Sequence, residues 1–197
     1  MVLNGIKKAY NDKTVFSDYS LQVDEGSVCS VMGSSGCGKT TLLRLIAGLE
    51  KADAGTITGV PDRIGMVFQE DRLCEELNAL DNVRLVLAKN ERKNRAQSDE
   101  RMREHFARVA FPEESLTLPV RMLSGGMRRR VAVVRAMMSP GELLLLDEPC
   151  TGLDVETGRL VINYVLWERN DRTLVVVTHS EKEAEQLGGK KIFLKST

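Results

Sequence analysis

Hydrophobic residues recur along this chain with two different spacings. Alternating or continuous apolar runs rich in β-branched residues predict strands, and apolar residues three and four apart predict helices. The predicted strands cover residues 2–10, 14–23, 27–32, 56–58, 63–68, 142–146, 174–178 and 190–195. The predicted helices follow residue 41, occupy 79–122 with connecting loops, and then span 127–138 and 155–168. Strands and helices thus mix along the chain, which predicts the α/β class.

Three features of this pattern predict how the elements are arranged. Asn11 and Asp12 form a turn pair between the first two strands, which favours a hairpin. The unbroken apolar run before Asp147 predicts a strand in the middle of a parallel sheet, covered on both faces. Residues 79–138 predict a helical subdomain inserted in the α/β core of one domain, residues 1–197. The mixed charges of residues 89–103 indicate a solvated helix face rather than a nucleic-acid patch.

Composition restricts the classes of protein that the chain can belong to. With 197 residues and 42% hydrophobic content, the chain can bury one sizeable core. Its 28 basic and 28 acidic residues give no net charge, so we expect no nucleic-acid partner. The opening residues lack the form of a signal peptide, and the longest apolar run is too short for a membrane span, which predicts a cytoplasmic protein. Four scattered cysteines argue against a zinc site or disulfides.

The most informative stretch is the glycine-rich segment between the third strand and the first helix. It has the form G-x-x-x-x-G-K-T, from Gly33 to Thr40. Gly33, Gly36 and Gly38 allow the backbone N–H groups to point inward, and the helix adds its positive end, so the segment suits an anion. Lys39 would reach the β- and γ-phosphates, and the Thr40 hydroxyl would be a ligand of Mg²⁺. The sequence therefore predicts a nucleotide-binding loop.

Two carboxylates follow the strand at residues 142–146. Strand ends in open α/β sheets face the ligand crevice, so Asp147 and Glu148 should lie beside the phosphate loop. Adjacent carboxylates are costly to bury without a cation or a proton. We therefore expect Asp147 to bind Mg²⁺ and Glu148 to bind a water molecule.

Other polar residues stand where elements begin or end. Gln69 and His179 each follow a strand, and His179 precedes an apparent capping box that begins at Ser180. Ser124 and Asp154 are placed to cap the helices that follow them. Local pattern alone favours Tyr10, at the end of the first strand, as a half-buried packing residue, and it favours packing for Trp167 too.

In this order along the chain, these motifs resemble those of the ATP-binding cassette (ABC) transporter nucleotide-binding subunits. Residues 33–40 look like the Walker A loop, and Gln69 looks like the Q-loop glutamine. Residues 123–126 look like the family signature, residues 143–148 like the Walker B strand with its glutamate, and His179 like the H-loop. The resemblance implies a P-loop NTPase fold with a RecA-like core, an antiparallel β subdomain and an inserted helical subdomain.

The resemblance also implies the cofactors ATP and Mg²⁺ and a role for each candidate residue. Tyr10 would stack on adenine, which reverses the local interpretation, and Asp154 would belong to the D-loop. Residues expected to bind the nucleotide are Tyr10, Gly33, Ser34, Ser35, Gly36, Cys37, Gly38, Lys39, Thr40, Thr41, Ser124, Gly125, Gly126 and Asp154. Thr40, Gln69 and Asp147 would hold the metal, and Lys39, Gln69, Glu148 and His179 would act in catalysis. Cys37, inside the loop, should be a reactive thiolate.

The partners implied are a second cassette, a membrane permease and a substrate-binding protein. Each ATP would lie between the Walker A loop of one subunit and the signature of the other, so that ATP closes a homodimer or a dimer with a paired subunit. The subunit would then sit on the inner face of the cell membrane through its permease. An exporter or lipoprotein-releasing ATPase would share every catalytic residue, and a soluble ABC protein acting on ribosomes or DNA and an inactive cassette are the further alternatives.

Two details set this chain apart within the family pattern. Met127 stands where the signature usually continues with glutamine, which would remove a polar contact across the dimer. Residues 65–73 and 81–83 look like the nitrate, sulfonate and taurine importer branch, although Glu75 and Glu76 stand where that branch commonly has Pro-Trp. The expected function is an ATPase subunit that powers the import of a small solute.

Overall fold

The computed structural model describes residues 1–11 and 13–195, so Asp12 of the predicted turn lies outside the described residues. The strands are β1 (Val2–Tyr10), β2 (Lys13–Gln22), β3 (Val28–Gly33), β4 (Ala54–Thr58), β5 (Ile64–Val67), β6 (Leu143–Asp147), β7 (Thr173–Val177) and β8 (Lys190–Leu194). The α-helices are α1 (Lys39–Ile46), α2 (Ala79–Arg84), α3 (Lys89–Lys93), α4 (Arg95–Arg108), α5 (Gly125–Met137), α6 (Val155–Glu168) and α7 (Glu181–Leu187).

The strands form two separate sheets. The first two strands pair antiparallel, as the hairpin pattern predicts, and the three-stranded sheet has the order β2-β1-β4. The other sheet has five parallel strands in the order β5-β6-β7-β3-β8. Every residue of β6 is buried, which confirms a strand covered on both faces, although β7 and not β6 occupies the middle of the sheet.

Alternate residues of the parallel strands serve two different cores, because side chains alternate across a sheet. Leu144 and Leu146 of β6 pack with the helices that follow β5 and with α6. Leu143 and Leu145 pack on the other side, against α1 and the antiparallel sheet. Close packing reaches the backbone at Gly65, where a Cβ would lie 2.6 Å from the carbonyl oxygen of Ala136 in α5. The sheet is thus held rigidly between two apolar layers.

Helices α2 to α5 lie between β5 and β6 in the chain. The charged stretch of residues 89–103 is a solvated helix face, as predicted: no residue of α3 is buried, and Arg101 of α4 pairs with Glu91 of α3 through partly exposed side chains. The predicted helical pattern up to residue 122 is wrong in its second half, since α4 ends at Arg108 and only two 3₁₀ turns follow, at residues 113–115 and 120–122. Proline residues 112 and 119 begin these turns, and a proline cannot continue a helical ladder.

Two smaller expectations are also corrected. Trp167 of α6 is 76% exposed and so does not pack in the core. Ser180 does cap α7 by accepting from the Glu183 N–H at 3.3 Å, but the reciprocal half of the capping box is absent. The Glu183 carboxylate instead accepts from the Thr178 hydroxyl at 2.6 Å, because that hydroxyl is buried at the end of β7.

The parallel direction of the strands fixes where the candidate chemistry lies. The carboxyl ends of β3, β5, β6 and β7 meet at one edge of the sheet, and the segments that leave them carry the glycine-rich loop, Gln69, Glu148 and His179. Among the described residues, no helix is both long enough and apolar enough to cross a bilayer.

Candidate nucleotide site

The glycine-rich loop connects β3 to α1 without a side-chain cap. Gly38 occupies the N-cap position of α1 with φ 102°, and no side chain accepts from the first turn. A Cβ on Gly38 would lie 2.4 Å from Cγ1 of Val15, so only glycine fits here. The first N–H groups of α1 therefore face the loop without a side-chain cap, which suits an anion.

The side chains of Lys39 and Thr40, the first residues of α1, contact different parts of the fold. The Lys39 ammonium donates to the carbonyl oxygens of Gly33 and Ser34, each at 2.9 Å. The Thr40 hydroxyl donates to Oδ2 of Asp147 at 2.8 Å. The structure thus brings the loop and the end of β6 into direct contact, as strand topology predicts.

Asp147 has the environment of a metal-binding carboxylate. It is 2% exposed, and burial raises its pKa while the Thr40 hydrogen bond opposes the rise. Burial disfavours the charged form, and a cation beside it would restore that form. No cluster of three or more His, Cys, Asp or Glu suited to a metal occurs in the described part of the chain. The buried Asp147 carboxylate and the Thr40 hydroxyl beside it fit Mg²⁺, which keeps several waters and binds through few carboxylates and phosphates.

Glu148 leaves β6 in a left-handed conformation with φ 49°, which is rare for a residue with a side chain. Its N–H still donates to the carbonyl oxygen of Val177 at 2.9 Å. Its carboxylate accepts from the Thr151 hydroxyl at 3.1 Å and lies 3.6 Å from Nδ1 of His179. The His179 side chain is 70% exposed. A carboxylate and an imidazole therefore stand together at the open edge of the loop.

Tyr10 lies at the mouth of the same cleft. It is 41% exposed, as a half-buried strand residue would be, and it also lines the cleft. Its hydroxyl donates to Glu50, the Lys8 ammonium lies 5.0 Å from the ring centroid, and burial raises the pKa of the phenol. The ring is held in place at one edge and remains accessible at the cleft.

A cleft of about 490 Å³ brings most of the candidate residues together. It is lined by Tyr10, Lys13, Val15, Gly33, Ser35, Gly36, Gly38, Lys39, Thr40, Thr41, Gln69, Glu148 and His179. An adjoining cleft of about 550 Å³ includes Asp147. Lys13 and Val15 were not predicted, because nothing in the strand pattern of β2 distinguishes them. The Lys13 ammonium lies 3.5 Å from the Gly36 carbonyl oxygen, which adds a second lysine to the phosphate loop.

Several predicted residues lie elsewhere. Cys37 is 3% exposed and packs in the core beneath the loop, close to Gly33, so the expectation that its side chain is accessible and reactive in the cradle is wrong. Residues 124–126 and Asp154 do not line the cleft. Ser124 and Asp154 cap α5 and α6 as predicted, by accepting from N–H groups of the first turns at 2.9–3.3 Å.

A family model described as ABC transporter matches residues 16–151, more than half of the chain. The chain belongs to the ABC transporter family. It is 38% identical over 98% of its length to the aliphatic sulfonates import ATP-binding protein SsuB 1 of Paraburkholderia xenovorans. It is likewise 38% identical over 99% of its length to the Fe(3+) ions import ATP-binding protein FbpC 1 of Rhizobium meliloti. The chain spans only 56% and 58% of these two relatives.

Solved ABC structures are similar over the whole chain. A dimeric post-hydrolysis structure of the ATP-binding cassette MJ0796 bound to ADP and Pi matches with a TM-score of 0.83 and 31% identity, covering 100% of this chain and 95% of that one. A second dimeric structure of the same cassette matches with a TM-score of 0.84. The predicted P-loop NTPase fold, with an antiparallel sheet and helices inserted between β5 and β6, is confirmed.

Proposed function

We propose that this ABC family member is the ATP-binding and ATP-hydrolysing subunit of a transporter that imports a small solute. The observation that carries the proposal is the contact between the Thr40 hydroxyl and Asp147 at 2.8 Å, which joins the loop to the strand with the paired carboxylates. Import is supported by the names of the relatives, which include sulfonate and iron importers.

In the proposed site, three groups of the chain bind ATP: an aromatic ring, the backbone N–H groups of the glycine-rich loop and a lysine. The accessible Tyr10 ring stacks on adenine, and backbone N–H groups of residues 33–41 surround the phosphates. Lys39 exchanges its two loop carbonyl oxygens for phosphate oxygens at a similar hydrogen-bonding distance. Because Lys39 is buried, its charge is little screened there.

Thr40, Gln69 and Asp147 hold Mg²⁺ in this proposal. Bound there, the ion would offset charge on the transferring phosphoryl group. Glu148 accepts the proton of the attacking water, and His179, 3.6 Å from that carboxylate, orients toward the γ-phosphate. Hydrolysis then depends mainly on positioning and charge, as in other phosphoryl transfers.

The signature residues act on a second subunit. Ser124, Gly125 and Gly126 start α5 but lie outside the cleft of their own chain, so they complete the site of a partner cassette, with Asp154 beside them. A Cβ on Gly126 would lie 3.1 Å from Leu153, so the signature and the D-loop pack together. The Met127 side chain packs partly on the core. It has no amide group that could make the contact of the usual glutamine across the dimer, which weakens closure of the dimer.

The remaining parts of the proposal concern the assembly. Residues 79–138 act as an inserted helical lobe of a single domain, residues 1–197. This lobe and the Gln69 segment dock on a membrane permease, which holds the subunit at the inner face of the membrane. A substrate-binding protein would deliver the solute.

Mixing two defective variants tests the shared site. Lys39→Ala removes the charge in the cleft, and Ser124→Arg blocks the signature. The mixed dimer has one composite site with both halves intact, so nucleotide-dependent association should return when two variants that each fail alone are combined. Thermal unfolding of each variant serves as the control for folding. The proposal fails if neither variant loses association, or if mixing restores none.

A further inference from the structure

Two arginines of α5 hold the segment that carries Gln69 by its backbone. The Arg129 guanidinium donates to the carbonyl oxygens of Phe68 at 2.7 Å and Gln69 at 2.6 Å. The Arg135 guanidinium donates to those of Asp71 and Arg72, both at 2.9 Å. Four carbonyl groups of residues 68–72 are therefore fixed to one helix, and that helix begins with the signature.

Arg129 is the more buried of the two and makes a further contact. The residue is 5% exposed, and its Nη1 lies 3.2 Å from Oδ1 of Asp71. Oδ1 of Asp71 is buried and accepts no hydrogen bond, so its charge is compensated mainly by the nearby guanidinium. A buried charge left without its partner is strongly unfavourable.

The connection between the two sites is short. Arg129 stands four residues after Gly125, about 6 Å along the helix axis at 1.5 Å per residue. On one side, the Gln69 side chain lines the cleft with Thr40 and Glu148. On the other side, residues 124–126 begin the helix that carries Arg129 and do not line that cleft. One side chain and one turn of helix therefore join a residue of the chain's own site to the signature.

We infer that Arg129 is a positioning residue that makes Gln69 and the signature move as one unit, so that nucleotide in a chain's own site orients the signature offered to the partner. This inference rests on the proposed function, because it needs ATP to close a dimer. The contact path is continuous, and its energetic coupling is what the experiment measures.

The substitution that isolates this role is Arg129→Lys. Lysine keeps the positive charge near Asp71, but its single ammonium cannot bind two successive carbonyl oxygens and the carboxylate in the planar geometry of a guanidinium. Arg135 still holds the carbonyl groups of residues 71 and 72, so the variant releases only residues 68 and 69 from α5. A second variant, Asp71→Asn, keeps both carbonyl contacts and removes only the ion pair.

Arg172 provides a matched control elsewhere in the fold. Its guanidinium also holds backbone carbonyl groups, including those of Met137 at 2.9 Å and Glu168 at 2.7 Å. It links the end of α5 to the end of α6 and does not line either cleft. Arg172→Lys should therefore lower thermal stability without affecting communication between sites.

All variants are made in a Glu148→Gln background, which slows hydrolysis. Two quantities are measured: the MgATP affinity of the dilute protein with a fluorescent ATP analogue, and the protein concentration of half-association in ATP by analytical ultracentrifugation. Arg129 itself lines the cleft that includes Asp147, and lysine keeps the positive charge there. For Arg129→Lys we therefore expect affinity within about twofold of the parent and a half-association concentration raised by about tenfold, in the usual range of coupling effects. Asp71→Asn should fall between this variant and the parent, and Arg172→Lys should associate like the parent.

The outcomes separate the inference from the proposed function. If the parent itself does not associate in ATP, the proposed function fails. If the parent associates and Arg129→Lys does so at the same concentration, the inference is overturned. It is also overturned if Arg129→Lys and Arg172→Lys shift association equally for an equal loss of melting temperature, because the role would then be structural.

Discussion

Replacing Gly38 by alanine tests whether the shape of the phosphate loop depends on the antiparallel sheet. Gly38 has φ 102°, and its added Cβ would lie 2.4 Å from Cγ1 of Val15 and 3.1 Å from Cζ of Phe16. Both neighbours belong to β2, which is tied to β1 along its length. Alanine here must therefore adopt an unfavourable backbone conformation and also displace a packed strand.

The two effects can be added to give the expected loss of stability. A left-handed backbone costs an L-residue about 1–2 kcal/mol. Overpacking a well-packed site costs about 1–3 kcal/mol. The sum, about 2–5 kcal/mol, corresponds to a fall of roughly 4–20 °C in Tm for a domain of this size. MgATP affinity should fall as well, because the loop must shift to relieve the contact.

Gly48 supplies the control, since it has φ 67° with no atom within 4 Å of its added Cβ. Gly48→Ala should show only the backbone cost, about 1–2 kcal/mol, with unchanged MgATP affinity. Thermal unfolding and nucleotide titration are measured for both variants and for Gly38→Ala combined with Val15→Ala, which removes the contacting methyl group. The double variant should lose less stability than the sum of the losses measured for Gly38→Ala and Val15→Ala alone. Equal Tm values for Gly38→Ala and Gly48→Ala, or strict additivity with Val15→Ala, would refute the steric reasoning.

Three further predictions follow from the site. Glu148→Gln should bind MgATP normally but hydrolyse it at least about a hundredfold more slowly, as loss of a general base implies; near-normal ATPase activity would exclude that role. Because burial raises the pKa of Asp147, the folded chain binds this proton more tightly than the unfolded chain does, and stability should fall as the pH rises above the usual aspartate pKa of about 3.9. Thermal unfolding measured as the pH rises above this value should show a smaller fall in stability for Asp147→Asn than for the unchanged protein. Cys74 is exposed and Cys37 is buried, so a thiol reagent should modify one cysteine in the native protein without inhibiting nucleotide binding; protection by MgATP would contradict this.

Much of the fold follows from periodicity because the parallel sheet is buried on both faces. Continuous apolar runs at β6 and β7 could only be strands inside a layered structure, and their parallel direction then fixes the edge where the polar residues gather. The segment after α4 was harder to predict, since Met122 and its apolar neighbours have a helix-like spacing. Pro112 and Pro119 break that helix, and tertiary contacts with residues 75 and 77 hold the segment instead.

The candidate site was likewise predictable only in part. Motif spacing predicted which residues leave the strand ends, because a loop and a strand end have little freedom in this topology. It could not predict where Cys37 points, since the side chain of a tight-loop residue can face either the ligand or the core. Nor could it find Lys13 or Arg129, whose positions depend on packing between elements distant in sequence.

The two consecutive carboxylates show how backbone conformation completes what the motif begins. In an extended strand, neighbours point to opposite faces, so Asp147 and Glu148 would diverge if β6 continued straight. Glu148 instead turns with φ 49°, a conformation that costs about 1–2 kcal/mol, while its N–H stays bonded to Val177 at 2.9 Å. The turn brings its carboxylate beside His179 and into both clefts, with Asp147 in one of them. Strain retained at such a position fits a functional role, and in the proposed site it lets the two adjacent residues hold the metal and the attacking water.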